Sequence, residues 1–531
     1  MRTYKINLIT DRWLPVLYTN GQTTFIAPYE LTIQDNEASI TSLNTTRADF
    51  NGALIQFLIG LLQTAKPELT GKQWRQWYKT PPSSDELKDW FSSLIPYFNL
   101  YGDGPCFMQD LDPLTDSPIK SISALLIEQP GEQTLKNNVD HFIKRDQVKQ
   151  LCPACAATAL FTLQTNAPSG GQGHRTSMRG GGPLTSIVVH DGTTKSFWDM
   201  LWLNVLSKTD FEKTTHQSLG QFNYERIFPW FMPTLTSEED QEQLPSAAHL
   251  FQMYWGMPRR IRLKVSDNNQ NPCDLCATVT EKAVTEYITK NYGIKYSEDW
   301  RHVLSPYRVT KDNQAFPLHP QPGGIGYQHW ITIALENSQD SKTAAVIRAN
   351  RERIQLQQQE EGGEGDPLII WSFGYDMDNM SARCWYEYQM PWYNIVDEQY
   401  ETVTCFIKQF IKTTEQARYY LIQALNDCGV PTNIARHSIW QKTETKFYES
   451  LGDIIKHSNN EYEIEEIKTS WLEHIHMITL NMFDIFVNVN HIETNCIKTY
   501  VQAKQQLKRN LYGKKIYEIL GLTKEKKVAN E

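Results

Sequence analysis

Four cysteines stand at the spacing that metal chemistry requires. Cys152-Pro-Ala-Cys155 is one CxxC knuckle and Cys273-Asp-Leu-Cys276 is another, with 117 residues between them. Two intervening residues let both thiolates of a knuckle reach one tetrahedral ion, and two knuckles make a complete four-cysteine set. A complete set leaves no coordination position for water or substrate. The expected ion is therefore a structural Zn2+ held by Cys152, Cys155, Cys273 and Cys276. A redox reading of either knuckle lacks an evident βαβ context. Cys106, Cys384, Cys405, Cys428 and Cys496 are isolated and read as core thiols.

Behind the first knuckle runs Ser169-Gly-Gly-Gln-Gly-His-Arg-Thr-Ser-Met-Arg-Gly-Gly-Gly-Pro183. Gly170, Gly171 and Gly173, with Gln172 among them, let a backbone approach a phosphate or base pair without a Cβ clash. Arg175 and Arg179 add forked donors suited to phosphate. The zinc is expected to fix this loop. No Gly-Lys-Ser/Thr follows it, and no GxGxxG follows a strand, so nucleotide hydrolysis is unsupported. Asp140-His141 beside the knuckle has residue types found in metal-dependent nucleases. No second His/Asn set follows at nuclease spacing, and a hydrogen-bonded structural pair is the simpler reading. Gly374-Tyr-Asp-Met-Asp-Asn379 lacks the glycine and glutamate of a Ca2+ loop and reads as a hairpin tip. No catalytic residue is assigned.

The elements that position these groups fall into two textures. Residues 1–30 alternate around Asn20-Gly21, which predicts a β-hairpin. Residues 47–65 and 86–99 read as helices, the second carrying Pro96 near its end. Residues 152–165 are Ala-rich, so the first knuckle opens a helix. Residues 185–190 and 258–266 read as strands, 270–330 as irregular, and 355–367 as an exposed polar loop. Beyond residue 397 the periods lengthen into four helical segments, at about 398–427, 437–457, 462–489 and 491–520. Short links between them predict a four-helix bundle. The expected domains are 1–394, an α+β N-terminal body with the structural zinc site, and 395–531, a C-terminal four-helix bundle.

Composition sets the class. Of 531 residues, 40% are apolar, enough for a sizeable core. The stretch 53–62 is too short to span about 30 Å of hydrocarbon. Residues 1–10 lack the apolar core of a signal peptide. Metal-spaced cysteines fit a reducing cytoplasm better than a disulfide framework. The net charge of −9 argues against a general nucleic-acid coat. Cations are instead confined: residues 141–183 hold five Lys/Arg against one acid, and residues 500–531 hold eight against three. Such confinement fits selective nucleic-acid contact.

Taken in order, Ile6-Asn-Leu-Ile-Thr-Asp-Arg-Trp-Leu-Pro15, Pro105-Cys-Phe-Met-Gln109, the stretch 152–183, Thr289-Lys-Asn-Tyr-Gly-Ile294 and Gly374-Tyr-Asp-Met-Asp-Asn-Met380 closely resemble the CasA family. These are the large subunits of Cascade, the type I-E CRISPR surveillance complex. The resemblance implies a subunit without catalysis of its own. It implies reading of the protospacer-adjacent motif (PAM) in double-stranded DNA, duplex opening, retention of the displaced strand and docking of a nuclease-helicase. Implied partners are the other Cascade subunits and the 5′ handle of the guide RNA, with no membrane. The glycine-loop role falls on Gly170 to Gly173. The minor-groove lysine finger falls on Lys290, or on Asn291 by a strict count. The strand-splitting wedge falls on Asn379, where the best-known members carry glutamine. The loop that anchors the guide RNA and approaches the PAM falls near His141 and Phe142. Minor-groove readout is degenerate, and guide pairing supplies sequence specificity, so a short duplex mark suffices.

Overall fold

Asn20-Gly21 turns the chain back on itself because Gly21 adopts φ +81°, which a side chain would resist. Strand β1 (Leu14–Tyr18) pairs antiparallel with β2 (Thr23–Ile26) on one side and with β3 (Ile40–Leu43) on the other. Helix α1 (Ala48–Ala65) follows. It is apolar nearly all round, the signature of a helix with no solvent face. At its centre the Phe57 ring meets Trp13, Phe98, Phe107, Phe161 and Trp255 edge-on, with centroids 5.5–5.9 Å apart. The structure, a computed structural model, describes residues 6–34, 38–129, 136, 147–192, 196–335, 341–361, 367–378, 380–489 and 497–523.

Next come α2 (Gly71–Lys79) and α3 (Ser84–Phe91). The helix expected over 86–99 is shorter and earlier. Ser83 and Glu86 form a reciprocal cap at its start, and from Ser92 to Tyr97 the chain tightens into a 3-10 turn around Pro96. The order then runs β4 (Ile119–Ser121), α4 (Pro153–Asn166), β5 (Thr185–His190), α5 (Phe197–Leu203), α6 (Lys208–Thr215), α7 (Tyr224–Ile227), β6 (Arg260–Asp267) and β7 (Lys282–Lys290). It continues with β8 (Tyr307–Val309), β9 (Ala315–Pro317), α8 (Trp330–Ala334), β10 (Ser341–Lys342), α9 (Ala345–Glu361), β11 (Leu368–Asp378) and β12 (Ser381–Pro391). Among the described residues four small sheets result, ordered β2-β1-β3, β4-β7-β6, β12-β11-β5 and β10-β8-β9.

Two expectations in this stretch need correction. The segment read as irregular contains β7, nine residues paired along β6. Its side chains do not alternate cleanly between buried and exposed, so period two is faint. The polar loop expected over 355–367 is helical as far as Glu361.

Among the described residues five helices follow: α10 (Asp397–Asp427), α11 (Asn433–Lys456), α12 (Glu461–Val489), α13 (Ile497–Leu511) and α14 (Lys514–Leu520). Helix α10 packs on all four others, and α12 packs on α11 and α13. The expected fourth helix is thus two pieces, broken at Tyr512-Gly513. Gly513 has extended backbone, and its N–H bonds back to the Asn510 carbonyl. The breaks at 429–431 and 458–460 stand where the sequence puts them. The chain is a mixed α+β body followed by a helical bundle.

Chain contacts divide the molecule into two units, 1–322 with 336–389 and 323–335 with 390–531. The short segment 323–335 therefore belongs with the helices. Its Tyr327 hydroxyl bonds Thr414 at 2.9 Å and Thr443 at 2.8 Å, and its ring stacks on Phe447 at 4.2 Å.

Candidate metal centre and nucleic-acid interface

The first knuckle is shaped by the start of α4. Cys152 is its N-cap, Pro153 occupies the first turn, and the Cys152 sulfur accepts the Cys155 N–H at 3.4 Å. The second knuckle lies in the turn between β6 and β7. Ala277 takes φ +58° there, and the Cys273 N–H reaches the Thr278 carbonyl at 2.9 Å. The Asp274 carboxylate joins the two turns, accepting the Lys149 and Gln150 N–H groups at 2.7 and 2.8 Å. Two knuckles far apart in sequence are thereby brought together.

The four sulfurs lie within 4.8 Å of one another, and Cys152 Sγ to Cys276 Sγ is 3.6 Å. A tetrahedron of about 2.3 Å Zn–S bonds has sulfur edges of about 3.8 Å. The cluster therefore has the size and the donor type of a tetrathiolate site. A sulfur–sulfur hydrogen bond with Cys152 pushes the Cys155 thiol up, and one from Cys152 pulls Cys276 down. A divalent cation suits all four thiolates. Of the isolated cysteines, Cys106 is buried as expected, Cys428 is half-buried, and Cys384 and Cys405 are exposed rather than core. Cys496 lies outside the described residues.

Helix α4 ends at Asn166 and hands the chain to the glycine loop. The loop does not stand free. Gly173, at φ +77°, accepts the Tyr292 N–H at 2.8 Å, and Asn291 Nδ2 donates to the Gln172 carbonyl at 2.8 Å. A Cβ on Gly173 would fall 2.9 Å from the Asn291 Cβ. The turn after β7 is equally constrained. A Cβ on Gly293 would lie 2.0 Å from the Pro258 carbonyl oxygen. Gly171 and Gln172 are exposed, while Gly170 and Gly173 are half-buried. Lys290 is exposed at the end of β7 and has no ion pair among the described residues. The structure thus sets the glycine loop and the lysine turn side by side, and commits the Asn291 amide to holding the loop.

Arg259, which the sequence reading missed, underpins this platform. Its guanidinium donates to the Pro168 carbonyl and to His174 Nδ1, and its backbone exchanges hydrogen bonds with the Gln164 amide at 2.9 and 3.0 Å. Burial, with Arg259 and Lys120 nearby, lowers the His174 pKa to about 4. The neutral ring can therefore accept from Arg259. The signal was present as an Arg-Arg pair entering a strand, but nothing in sequence said which loop it would meet.

Of the two arginines read as phosphate donors, Arg179 is buried and needs correction, while Arg175 is partly exposed. Arg179 is 4% exposed, and its guanidinium donates to Gln56 at 2.6 Å and to Thr185 and Ser305 at 3.0 Å. It is an internal clamp with no surface to offer DNA. Arg175, partly exposed, gives two donors to Ser237, at 2.7 Å to the hydroxyl and 2.8 Å to the carbonyl, and lies 3.6 Å from Asp240. That hydroxyl in turn donates to the Gly293 carbonyl at 2.7 Å. Arg175 thus braces the lysine turn. In the C-terminal basic tail Lys504 pairs with Asp484 and Lys514 with Glu518, while Lys508, Arg509 and Lys515 are exposed. Asp140, His141, Phe142 and Asn379 lie outside the described residues. The flanks of Asn379 are β11 and β12, neighbouring strands of one sheet, as a hairpin requires.

The class is that of CRISPR-associated proteins: the family model described as CRISPR-associated protein Cse1 matches residues 7–482. The chain belongs to the Cse1 family, also called CasA. Among solved structures it is similar to Thermus thermophilus CasA (Cse1), with 17% identity and a TM-score of 0.67 over 96% of this chain and 100% of that one. It is likewise similar to Thermobifida fusca Cse1, with 15% identity and a TM-score of 0.69 over 98% and 99%. A chain of a CRISPR RNA-guided surveillance complex matches at 11% identity and a TM-score of 0.60 over 95% and 99%. Among the described residues no helix is long and apolar enough to cross a membrane.

Proposed function

We propose that this chain is the non-catalytic large subunit of a cytoplasmic RNA-guided surveillance complex, and that it reads the PAM in duplex DNA. Family membership supports the assembly, since a similar chain belongs to a CRISPR RNA-guided surveillance complex. One observation carries the DNA reading. The exposed Lys290 and the Gly171-Gln172 backbone sit on one braced surface, joined through Asn291 and Tyr292. A flexible cation beside open backbone can reach minor-groove acceptors and phosphates together. Lys290, rather than Asn291, takes the finger role because the Asn291 amide is already engaged.

Zn2+ on Cys152, Cys155, Cys273 and Cys276 is structural in this reading. It pins the start of α4 to the β6–β7 turn, and through those elements the glycine loop to the lysine turn. Four thiolates fill the ion's coordination, so it supplies no Lewis-acid chemistry to a substrate. His141 and Phe142 approach the PAM and the guide 5′ handle. Asn379 inserts at the opened junction, trading unstacking for an opened duplex. Lys508, Arg509 and Lys515 hold the displaced strand. After target capture the subunit helps recruit the nuclease-helicase.

The test is binding by the reconstituted complex to intact duplex and to duplex pre-melted beside the PAM. Lys290→Ala is expected to weaken both. Asn379→Ala is expected to slow capture of the intact duplex and to recover on the pre-melted one. No defect in either variant would remove these assignments. DNA cleavage by the purified chain with Mn2+, abolished by His141→Ala, would replace the reading with a nuclease.

A further inference from the structure

The hairpin β11–β12 is fixed to the body at Tyr375. This residue is 3% exposed, and its hydroxyl donates to Asp49 Oδ2 at 2.6 Å. Burial and the Asp49 charge push its pKa up, so it remains a donor throughout the working pH range. Asp49 is itself held by a fork from Arg47, with Nε to Oδ1 at 3.0 Å and Nη2 to Oδ2 at 2.9 Å. The same guanidinium bonds both oxygens of Glu128. One cation thus serves two carboxylates, and the buried carboxylate serves the tyrosine.

The other side of Tyr375 touches the glycine segment. A Cβ on Gly182, at φ +62°, would fall 2.6 Å from the Tyr375 carbonyl oxygen and 2.8 Å from its Cβ. At the preceding residue, a Cβ on Gly374 would lie 2.6 Å from the Pro183 carbonyl oxygen. The hairpin also lies on α1, where a Cβ on Gly52 would strike Trp385 at 2.8 Å and Phe373 at 2.9 Å. The antiparallel ladder with β5 sets the register of β11 from Leu368 to Phe373 and ends there, two residues short of Tyr375. The Tyr375–Asp49 bond is directional, and Arg47 prevents the Asp49 carboxylate from rotating.

We propose that Tyr375, oriented by Asp49, Arg47 and Glu128, is a positioning residue that fixes the part of the hairpin beyond the β5 ladder against the Gly182 end of the glycine loop. Duplex reading by the loop and duplex opening by the hairpin then start from one fixed geometry. The inference rests on the DNA-reading function proposed above. It needs no contact between Tyr375 and DNA.

The experiment uses the reconstituted complex with its guide. Tyr375→Phe deletes one hydroxyl and leaves the Arg47–Asp49–Glu128 cluster intact, so the chain still folds. Arg47→Lys keeps the charge and loses the fork that reaches both carboxylates. Each variant is expected to slow capture of intact PAM duplex on the order of tenfold, and to stay within about twofold of wild type on pre-melted duplex. The double variant is expected to be no worse than the poorer single, because both act through Asp49. Amide exchange across β11 residues 374–378 is expected to quicken in each. Equal slowing on both DNAs, additive defects or wild-type behaviour of Tyr375→Phe would overturn the positioning role. If the wild-type complex does not itself distinguish PAM from non-PAM duplex, the functional reading fails instead, whatever the variants do.

Discussion

Gly173→Ala and Gly171→Ala differ by two positions in one loop and are expected to behave oppositely. Gly173 sits at φ +77°, where an alanine costs roughly 1–2 kcal/mol. Its new Cβ would stand 2.9 Å from the Asn291 Cβ and 3.1 Å from the Tyr292 ring. Overpacking of that kind costs about 1–3 kcal/mol. The loop is joined to the turn by two hydrogen bonds, one from the Tyr292 N–H to Gly173 and one from the Asn291 amide to Gln172. At about 0.5–1.5 kcal/mol net each, they hold the loop by roughly 1–3 kcal/mol. The strain, roughly 2–5 kcal/mol in sum, exceeds the restraint. The loop should therefore leave the turn rather than unfold the body. Hydrogen exchange at the Tyr292 amide should quicken about tenfold or more, duplex affinity should fall, and the thermal midpoint should barely move. Around Gly171 a Cβ meets nothing within 4 Å and no left-handed backbone is required. Gly171→Ala should match wild type in Tyr292 exchange and in thermal midpoint. Equal Tyr292 exchange in the two variants, or unaltered Tyr292 exchange in Gly173→Ala, would refute the argument.

Cys273→Ser should abolish stoichiometric zinc by elemental analysis and lower the thermal midpoint, because the binding energy of a structural zinc is also folding energy. Well-folded wild-type protein without zinc would contradict this. Arg179→Met should strand the Gln56, Thr185 and Ser305 partners and cost on the order of 1–3 kcal/mol in denaturant unfolding, with DNA affinity per folded molecule unchanged. Burial holds the His302 pKa well below its ordinary value, so the unfolded chain binds more protons there than the native one. Stability should fall as pH drops below about 6.5, and His302→Asn should flatten that slope in thermal melts. Deleting residues from 395 onward should leave a zinc-loaded body that becomes well behaved only when Tyr327 and Trp330 are replaced by serine, since both rings are buried in the whole chain.

What the sequence made legible was local. The two CxxC spacings are a property of short chain segments, and the structure closes them into one cluster. The Asn20-Gly21 hairpin, the α1 helix and the first three bundle helices follow from turn chemistry and periodicity. What stayed hidden depends on partners far along the chain. Arg179 looked like a phosphate donor until Gln56, Thr185 and Ser305 closed over it. Arg259 carried no motif because its role is to meet Pro168 and His174. Strand β7 escaped because one of its faces is only partly buried, which blurs alternation. Segment 323–335 was read with the body because pattern alone does not reveal that Tyr327 seats among bundle helices. The family resemblance left the finger role open between Lys290 and Asn291, and the bond from the Asn291 amide to Gln172 is what favours Lys290 in the proposal above.

The central claim is that the surface joining Lys290 to the glycine loop reads a short mark in duplex DNA. It is tested most directly by the ratio of affinities of the guide-loaded complex for matched duplexes with and without a PAM, at fixed salt, for wild type and Lys290→Ala. A large ratio for wild type that collapses toward one in Lys290→Ala is the predicted result. An undiminished ratio in the variant would contradict the account.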